Sequence, residues 1–182
     1  MTSFNKIQQL KRRFFALRNG AVADSMRKAG APYRIIFGLN LPQIAEVAAE
    51  FGPDPSLALE LRGNLTTRES LLIAPMLYPA DALTADEALE WIRLSPTAEV
   101  IDVLCLKLLR RMPDPAAVIT RLAGSSRPLE RYAALRLGAN ILPGEIDLVE
   151  SVARDEAARR DPLTLLAATM ILDDIAFRRE SH

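Results

Sequence analysis

Twelve prolines punctuate this chain, and their placement constrains its fold more than any other feature. Pro42, Pro115, Pro128 and Pro162 each stand at the head of a segment whose apolar residues recur every three or four positions. That is the first helical turn, where a missing N–H costs nothing. Pro53, Pro55, Pro79, Pro96, Pro113 and Pro143 fall between such segments, while Pro75, inside ESLLIAPML, is expected to kink or end its helix. Residues with capping chemistry agree with these breaks. Thr84 with Glu87 reads as a capping box, Thr97 and Asp161 as N-caps, and Asn19-Gly20 and Gly30 as helix stops. Alternating apolar and polar residues are absent, and Leu and Ala, strong helix formers, dominate. The predicted helices are 4–18, 21–29, 42–51, 55–62, 66–77, 84–94, 97–112, 115–123, 128–142, 145–154 and 162–179, with no strand.

A repeat lies on top of this pattern. Long apolar helices begin near Thr66, Thr97, Pro128 and Pro162, at steps of 31, 31 and 34 residues, with a shorter and more polar helix between each pair. Two helices per repeat at this period predict an all-α chain of right-handed α-solenoid type, with HEAT-like (armadillo-type) helical repeats. The Trp, Gly and Tyr of a tetratricopeptide repeat are missing. An irregular helical bundle would bury the same long helices and is the alternative. The 182 residues suit one domain, 1–182, with basic N-terminal helices over 1–37 and stacked helix pairs over 38–182.

Composition excludes several classes. One Cys and one His leave no disulfide framework and no ordinary Cys/His zinc site, so no metal or cofactor is expected. Cys105, in the apolar run VLCLKLL, reads as a reduced, buried core thiol. The segment MTSFNKIQQLKRRFF has no apolar stretch of the secretory type, and no run of about 18 apolar residues occurs. A cytoplasmic protein with no membrane partner is therefore expected. Glycine-rich phosphate loops are absent. The single His, at position 182, leaves no nucleophile–base pair.

Charge carries more information. Lys+Arg and Asp+Glu both total 23, so the net charge is zero. Residues 1–37 nevertheless hold Lys6, Lys11, Arg12, Arg13, Arg18, Arg27, Lys28 and Arg34 against Asp24 alone, a net of +7, which leaves −7 for the rest. In the first helix Ile7, Leu10, Phe14 and Leu17 form one apolar stripe, and Lys6, Lys11, Arg12 and Arg13 lie largely off it. Such a segment suits nucleic-acid phosphates, an acidic partner, or simply a solvated face. Of the ten aromatics, Phe4, Phe14, Phe15, Tyr33, Phe37 and Phe51 fall within the first 51 residues and are expected mainly to seal the N-terminal core. Among carboxylates, Asp102 stands out because Ala98, Cys105 and Leu106 surround it on a helix. It reads either as an ion pair tying two repeats, with Arg131 the candidate partner, or as a carboxylate at the floor of a groove. Arg68-Glu69 and Glu130-Arg131 recur near the starts of their long helices, as inter-repeat salt bridges or as a row of groove charges.

The stretch from Met26 to Ser70 resembles the DNA-alkylation-repair (AlkD-like) family of HEAT-like repeat proteins. The features that carry the resemblance are Met26, Tyr33, Phe37-Gly38-Leu39, Pro42, Leu59-Glu60-Leu61 and Arg68-Glu69, followed by TAEVIDVLCLKLL and RPLERYAALRL. It extends over roughly residues 20–140. Glycosylases of that family release positively charged alkylated purines from duplex DNA bound on a concave basic face. A carboxylate there stabilises the cationic sugar, and tryptophans contact the DNA. The resemblance implies Asp102 as that catalytic carboxylate and Arg131 near the DNA backbone. Arg68, Lys11, Arg12 and Arg13 are further DNA-contact candidates. The chain departs from the family at Ala98, where an aromatic is expected, and at Leu165 and Leu166, where a Trp is expected. Its one Trp, Trp91, lies on another helix and reads as a packing residue.

Two functions follow. One is a DNA-repair protein that binds alkylated double-stranded DNA in a concave groove, with DNA glycosylase activity only if Asp102 suffices without the family aromatics. The other is a non-catalytic scaffold that presents the groove to a protein partner.

Overall fold

A computed structural model describes residues 3–181, with side chains from residue 6 onward. Phe4's side chain and His182 lie outside the described residues. Eleven α-helices follow one another: α1 Ser3–Ala16, α2 Gly20–Lys28, α3 Leu41–Phe51, α4 Pro55–Arg62, α5 Arg68–Leu77, α6 Ala85–Leu94, α7 Ala98–Lys107, α8 Pro115–Ala123, α9 Pro128–Ile141, α10 Ile146–Arg159 and α11 Leu165–Glu180. Among the described residues there is no strand, only an isolated parallel bridge between Ile35 and Thr67.

Local chemistry explains most of the boundaries. Asn40 with Gln43, and Thr84 with Glu87, form capping boxes, and Asp54, Thr97 and Asp114 each accept one orphan N–H. Prolines stand in the first turn of α3, α4, α8 and α9, so Pro55 heads a helix rather than separating two. Pro75 is tolerated inside α5, which ends two residues later at Leu77. Asn19 starts α2 instead of stopping α1, because its side chain accepts the Val22 N–H. The expected helix 97–112 is shorter. It ends at Lys107, and a 3₁₀ turn follows over Leu109–Arg111. The helix expected to end at 154 runs on to Arg159. The last helix begins at Leu165, after a turn in which Asp161 accepts the Leu163 N–H.

The chain forms two compact units, Met1–Pro79 and Ala80–His182. In the first, α5 packs on α3 and α4, and α1 packs on α4. Leu10 and Phe14 of α1, Ile44 and Val47 of α3, Leu57 and Leu61 of α4, and Leu72 and Ile73 of α5 are buried. The extended segment ahead of α3 is anchored by Glu69, which is fully buried. Its carboxylate accepts the N–H groups of Phe37, Gly38 and Leu39 at 3.1, 2.9 and 3.4 Å. Gly38 has φ +78°, and a Cβ there would sit 2.3 Å from the Asn19 carbonyl oxygen, so only glycine fits. In the second unit, α9 packs on α7, α8, α10 and α11. Leu135, Val149, Ala153, Ala168, Ile171 and Ile175 form its α9–α10–α11 core. Trp91 and Cys105 are buried in this unit, as expected. The Cys105 thiol faces the Ala133 carbonyl at 3.8 Å, and burial pushes its pKa up, which keeps it an inert thiol. No described helix is long and apolar enough to cross a membrane.

Candidate functional site

Asp102 lies on α7, and its partners come from α9. Its Oδ1 accepts Nε–H of Arg136 at 2.6 Å and the hydroxyl of Tyr132 at 3.0 Å. Among the described residues, Oδ2 carries no partner. The Asp102 and Arg136 side chains are 37% and 35% exposed. Tyr132 is pushed up to about 12, first by burial, then by the charge and the hydrogen bond of Asp102, while Arg136 works the other way. The result is a half-buried carboxylate whose charge is largely met by a guanidinium.

The expected partner, Arg131, faces elsewhere. Tyr132 and Arg136 are four residues apart and share one face of α9. Arg131 points about 100° away from Tyr132, towards α10. There its Nε donates to both Glu156 oxygens at 2.9 and 3.0 Å, Nη2 to Asp161 at 2.6 Å and Nη1 to the Ser125 carbonyl at 3.0 Å. Glu156 also accepts the Thr164 hydroxyl at 2.7 Å. Arg68 is buried too. Its Nη1 donates to Glu69 and to the Leu39 carbonyl, both at 3.0 Å. Glu130 accepts hydrogen bonds from the Ser125 hydroxyl and Arg127, and forms a looser ion pair with Arg93 at 3.7 Å. The recurring Arg–Glu pairs are thus internal struts, joined to residues outside their own helices.

The other three candidate contacts lie on α1, and all are exposed. Arg13 grips Glu50 of α3 through two hydrogen bonds, at 2.8 and 2.5 Å, which hold the Glu50 carboxyl below the usual range. Lys6 likewise meets Asp54 at 2.5 Å. Lys11 and Arg12 make no ion pair or hydrogen bond among the described residues, and the same holds for the exposed Lys28 and Arg34. A cleft of about 510 Å³ beside α1 is lined by Lys6, Gln9, Arg12, Arg13, Glu50 and Phe51.

Two features escaped the sequence reading. One is the Tyr132/Arg136 pair, whose signal was its four-residue spacing on α9. The other is Phe15. It is expected with the other aromatics in the core, yet it is 57% exposed. Its neighbour Phe14 is buried, with its ring centroid 5.7 Å from that of Phe37. The signal was there: Phe15 lies off the Ile7–Leu10–Phe14–Leu17 stripe.

No protein-family model matches this sequence, and no curated protein matches it. One solved structure does match. It is described as belonging to a new family of proteins related to the HEAT-like repeat DNA glycosylases, with affinity for branched DNA structures. The likeness has a TM-score of 0.78 at 16% identity, over 97% of this chain and 76% of that one. This chain has a HEAT-like repeat fold. The expected fold class therefore holds, and α5, α7, α9 and α11 begin at Arg68, Ala98, Pro128 and Leu165, so the last step is longer than the expected 34 residues. Within that fold Ala98 is the first residue of α7, and Leu166 lies exposed on α11.

Proposed function

We propose that this protein binds DNA, and branched DNA in particular, through the phosphate backbone. The observation that carries the reading is a group of exposed cations in the first compact unit, Lys11, Arg12, Lys28 and Arg34, that have no internal partner among the described residues; in the second unit Arg110 and Arg160 are exposed and unpaired in the same sense. Cations that no carboxylate neutralises keep their field for a ligand, and phosphates are the ligand for which such a set is suited. The likeness to a fold whose member has affinity for branched DNA supports the same reading. Arg13 joins this surface while bound to Glu50. Arg68 and Arg131 hold the fold rather than the ligand.

Base release finds less support. A carboxylate that stabilises a cationic sugar must offer uncompensated negative charge. Asp102 is paired with Arg136 at 2.6 Å, and the position one turn before it is Ala98. The reading is therefore binding without catalysis, with Asp102 a positioned but neutralised carboxylate. A scaffold that presents α11 to a protein is the second reading. The exposure of Leu166, Met170 and Phe177, at steps of four and seven along that helix, favours it.

Fluorescence anisotropy of labelled four-way junctions and matched duplexes, across a salt series, tests the proposal. Lys11→Ala/Arg12→Ala is expected to weaken binding to both and to flatten the log–log salt slope by about 2. Absence of binding at low salt would overturn the reading. Release of alkylpurine by the wild type but not by Asp102→Asn would restore the catalytic one.

A further inference from the structure

Phe15 is an exposed aromatic on a face that is otherwise charged. Lys11 stands one turn before it on α1 and Arg12 three residues before it, both without partners. Arg18, just beyond the helix end, closes over the ring. Its guanidinium carbon lies 3.8 Å from the ring centroid, and Nη1 donates to the Phe15 carbonyl at 2.8 Å. That backbone hydrogen bond fixes the guanidinium over the ring, and no carboxylate among the described residues matches its charge. A lone exposed Phe is unremarkable in itself. A Phe capped by a pinned, uncompensated guanidinium and flanked by two free cations is a flat π surface with phosphate-binding groups beside it.

We propose that this α1 face is a stacking platform for unpaired DNA bases. A base rests on the Phe15 ring or on the outer plane of Arg18, and Lys11 and Arg12 take the adjoining phosphates. Single-stranded nucleic acid offers exposed base faces that stack on aromatic and guanidinium planes, whereas a duplex keeps its bases in the helix and presents only its terminal pairs. The inference rests on the DNA-binding reading above and deepens it. It assigns the preference for branched DNA to the unstacked bases at a branch point.

The test compares a labelled oligo-dT strand, a blunt duplex and a duplex carrying a single-stranded gap, at one low salt concentration. Proteins compared are the wild type, Phe15→Ala, Phe15→Trp and Lys11→Ala/Arg12→Ala. Phe15→Ala is expected to weaken binding to oligo-dT and to the gapped duplex by about 5- to 100-fold. It should leave blunt-duplex affinity within about twofold, because it removes stacking and no phosphate contact. Phe15→Trp is expected to restore the lost affinity. The double variant is expected to weaken all three ligands together. If Phe15→Ala binds oligo-dT like the wild type, or loses duplex and single strand equally, the platform is wrong while DNA binding stands. If the wild type binds none of the three, both readings fall. The melting temperature of Phe15→Ala, expected to be unchanged, separates lost stacking from lost fold.

Discussion

Arg131→Met should destabilise the second compact unit by about 3 kcal/mol, and the structure says why the loss is neither trivial nor larger. Arg131 and Glu156 have side chains only 8% and 3% exposed. Breaking a buried pair by removing one partner costs about 3–5 kcal/mol, because the abandoned charge stays in a poor solvent. Glu156 would not be wholly abandoned. It keeps the Thr164 hydroxyl at 2.7 Å and the half-exposed Arg159 at 3.4 Å, which places the loss at the lower end of that range. Methionine preserves most of the aliphatic stem, so lost packing adds little. At a urea dependence of about 2 kcal/mol per M, the midpoint falls by about 1.5 M. Trp91 is the only tryptophan and is buried in the same unit, so its fluorescence follows this transition directly. Arg131→Lys should recover only part of the loss, since one ammonium cannot bridge two carboxylates and a carbonyl as the planar fork does. Arg131→Met/Glu156→Leu should recover more, because no buried charge is left unpaired at Glu156. A loss under about 1 kcal/mol, the range of exposed pairs, would refute the reading of Arg131 as an internal strut.

Three further outcomes follow from the same geometry. Gly38→Ala, at φ +78° with the Asn19 carbonyl 2.3 Å from the new Cβ, should cost about 2–3 kcal/mol, and an unchanged midpoint in a far-ultraviolet circular-dichroism melt would contradict it. In an alkaline absorbance titration Tyr132 should ionise near 12. Asp102→Asn should bring that value down without restoring an ordinary tyrosine, because the repulsion by the carboxylate goes while burial stays, and a titration identical to the wild type would count against the Asp102–Tyr132 contact. Because the folded value lies above the unfolded one, the unfolded chain loses this proton first. Stability therefore falls as pH rises from 10 towards 12. Glu150, gripped by Arg179 and Arg154, is held down at about 2 from an ordinary 4.5, so its contribution is present above pH 4.5 and disappears as pH falls towards 2. Glu150→Gln should flatten that acid limb of a urea-midpoint profile, and a limb as steep as that of the wild type would exclude the contribution.

Helix placement was legible because it depends on neighbours three and four residues away. Capping oxygens and prolines mark where such neighbours begin, and Thr84, Thr97 and Pro128 did so correctly. The misplaced boundaries have specific causes. Leu104, Leu108, Leu109 and Met112 are all buried, so the apolar pattern runs on through the 3₁₀ turn after α7 although the helix does not. On α10 the buried face passes through Val149, Ala153 and Glu156. Its last member is a carboxylate, and the apolar pattern therefore stops a turn before the helix does. Asn19 suits a helix end and a helix start equally well, and the choice is made by the Val22 N–H.

The exposure of candidate residues was legible where charge type and helical face agreed. Lys11 and Arg12 lie off the apolar stripe of α1 and are exposed. Arg131 lies on an apolar stripe, four residues before Leu135 and seven before Gly138, both buried, and Arg68 stands likewise to Leu72 and Pro75. An arginine at such a position must find internal acceptors, and its acceptors, Glu156 and Asp161, lie 25 and 30 residues away, beyond the reach of any local pattern. Phe15 is the converse, an apolar residue on a charged face, with partners that supply cations. The two mismatches make opposite demands on experiment. Replacing Arg131 should lower stability and leave the proposed DNA affinity of the folded protein intact. Replacing Phe15 should lower affinity for unpaired bases and leave stability intact. Only if the two effects separate in this way does the face a residue occupies, rather than its charge, decide which cations of this neutral chain are available to DNA.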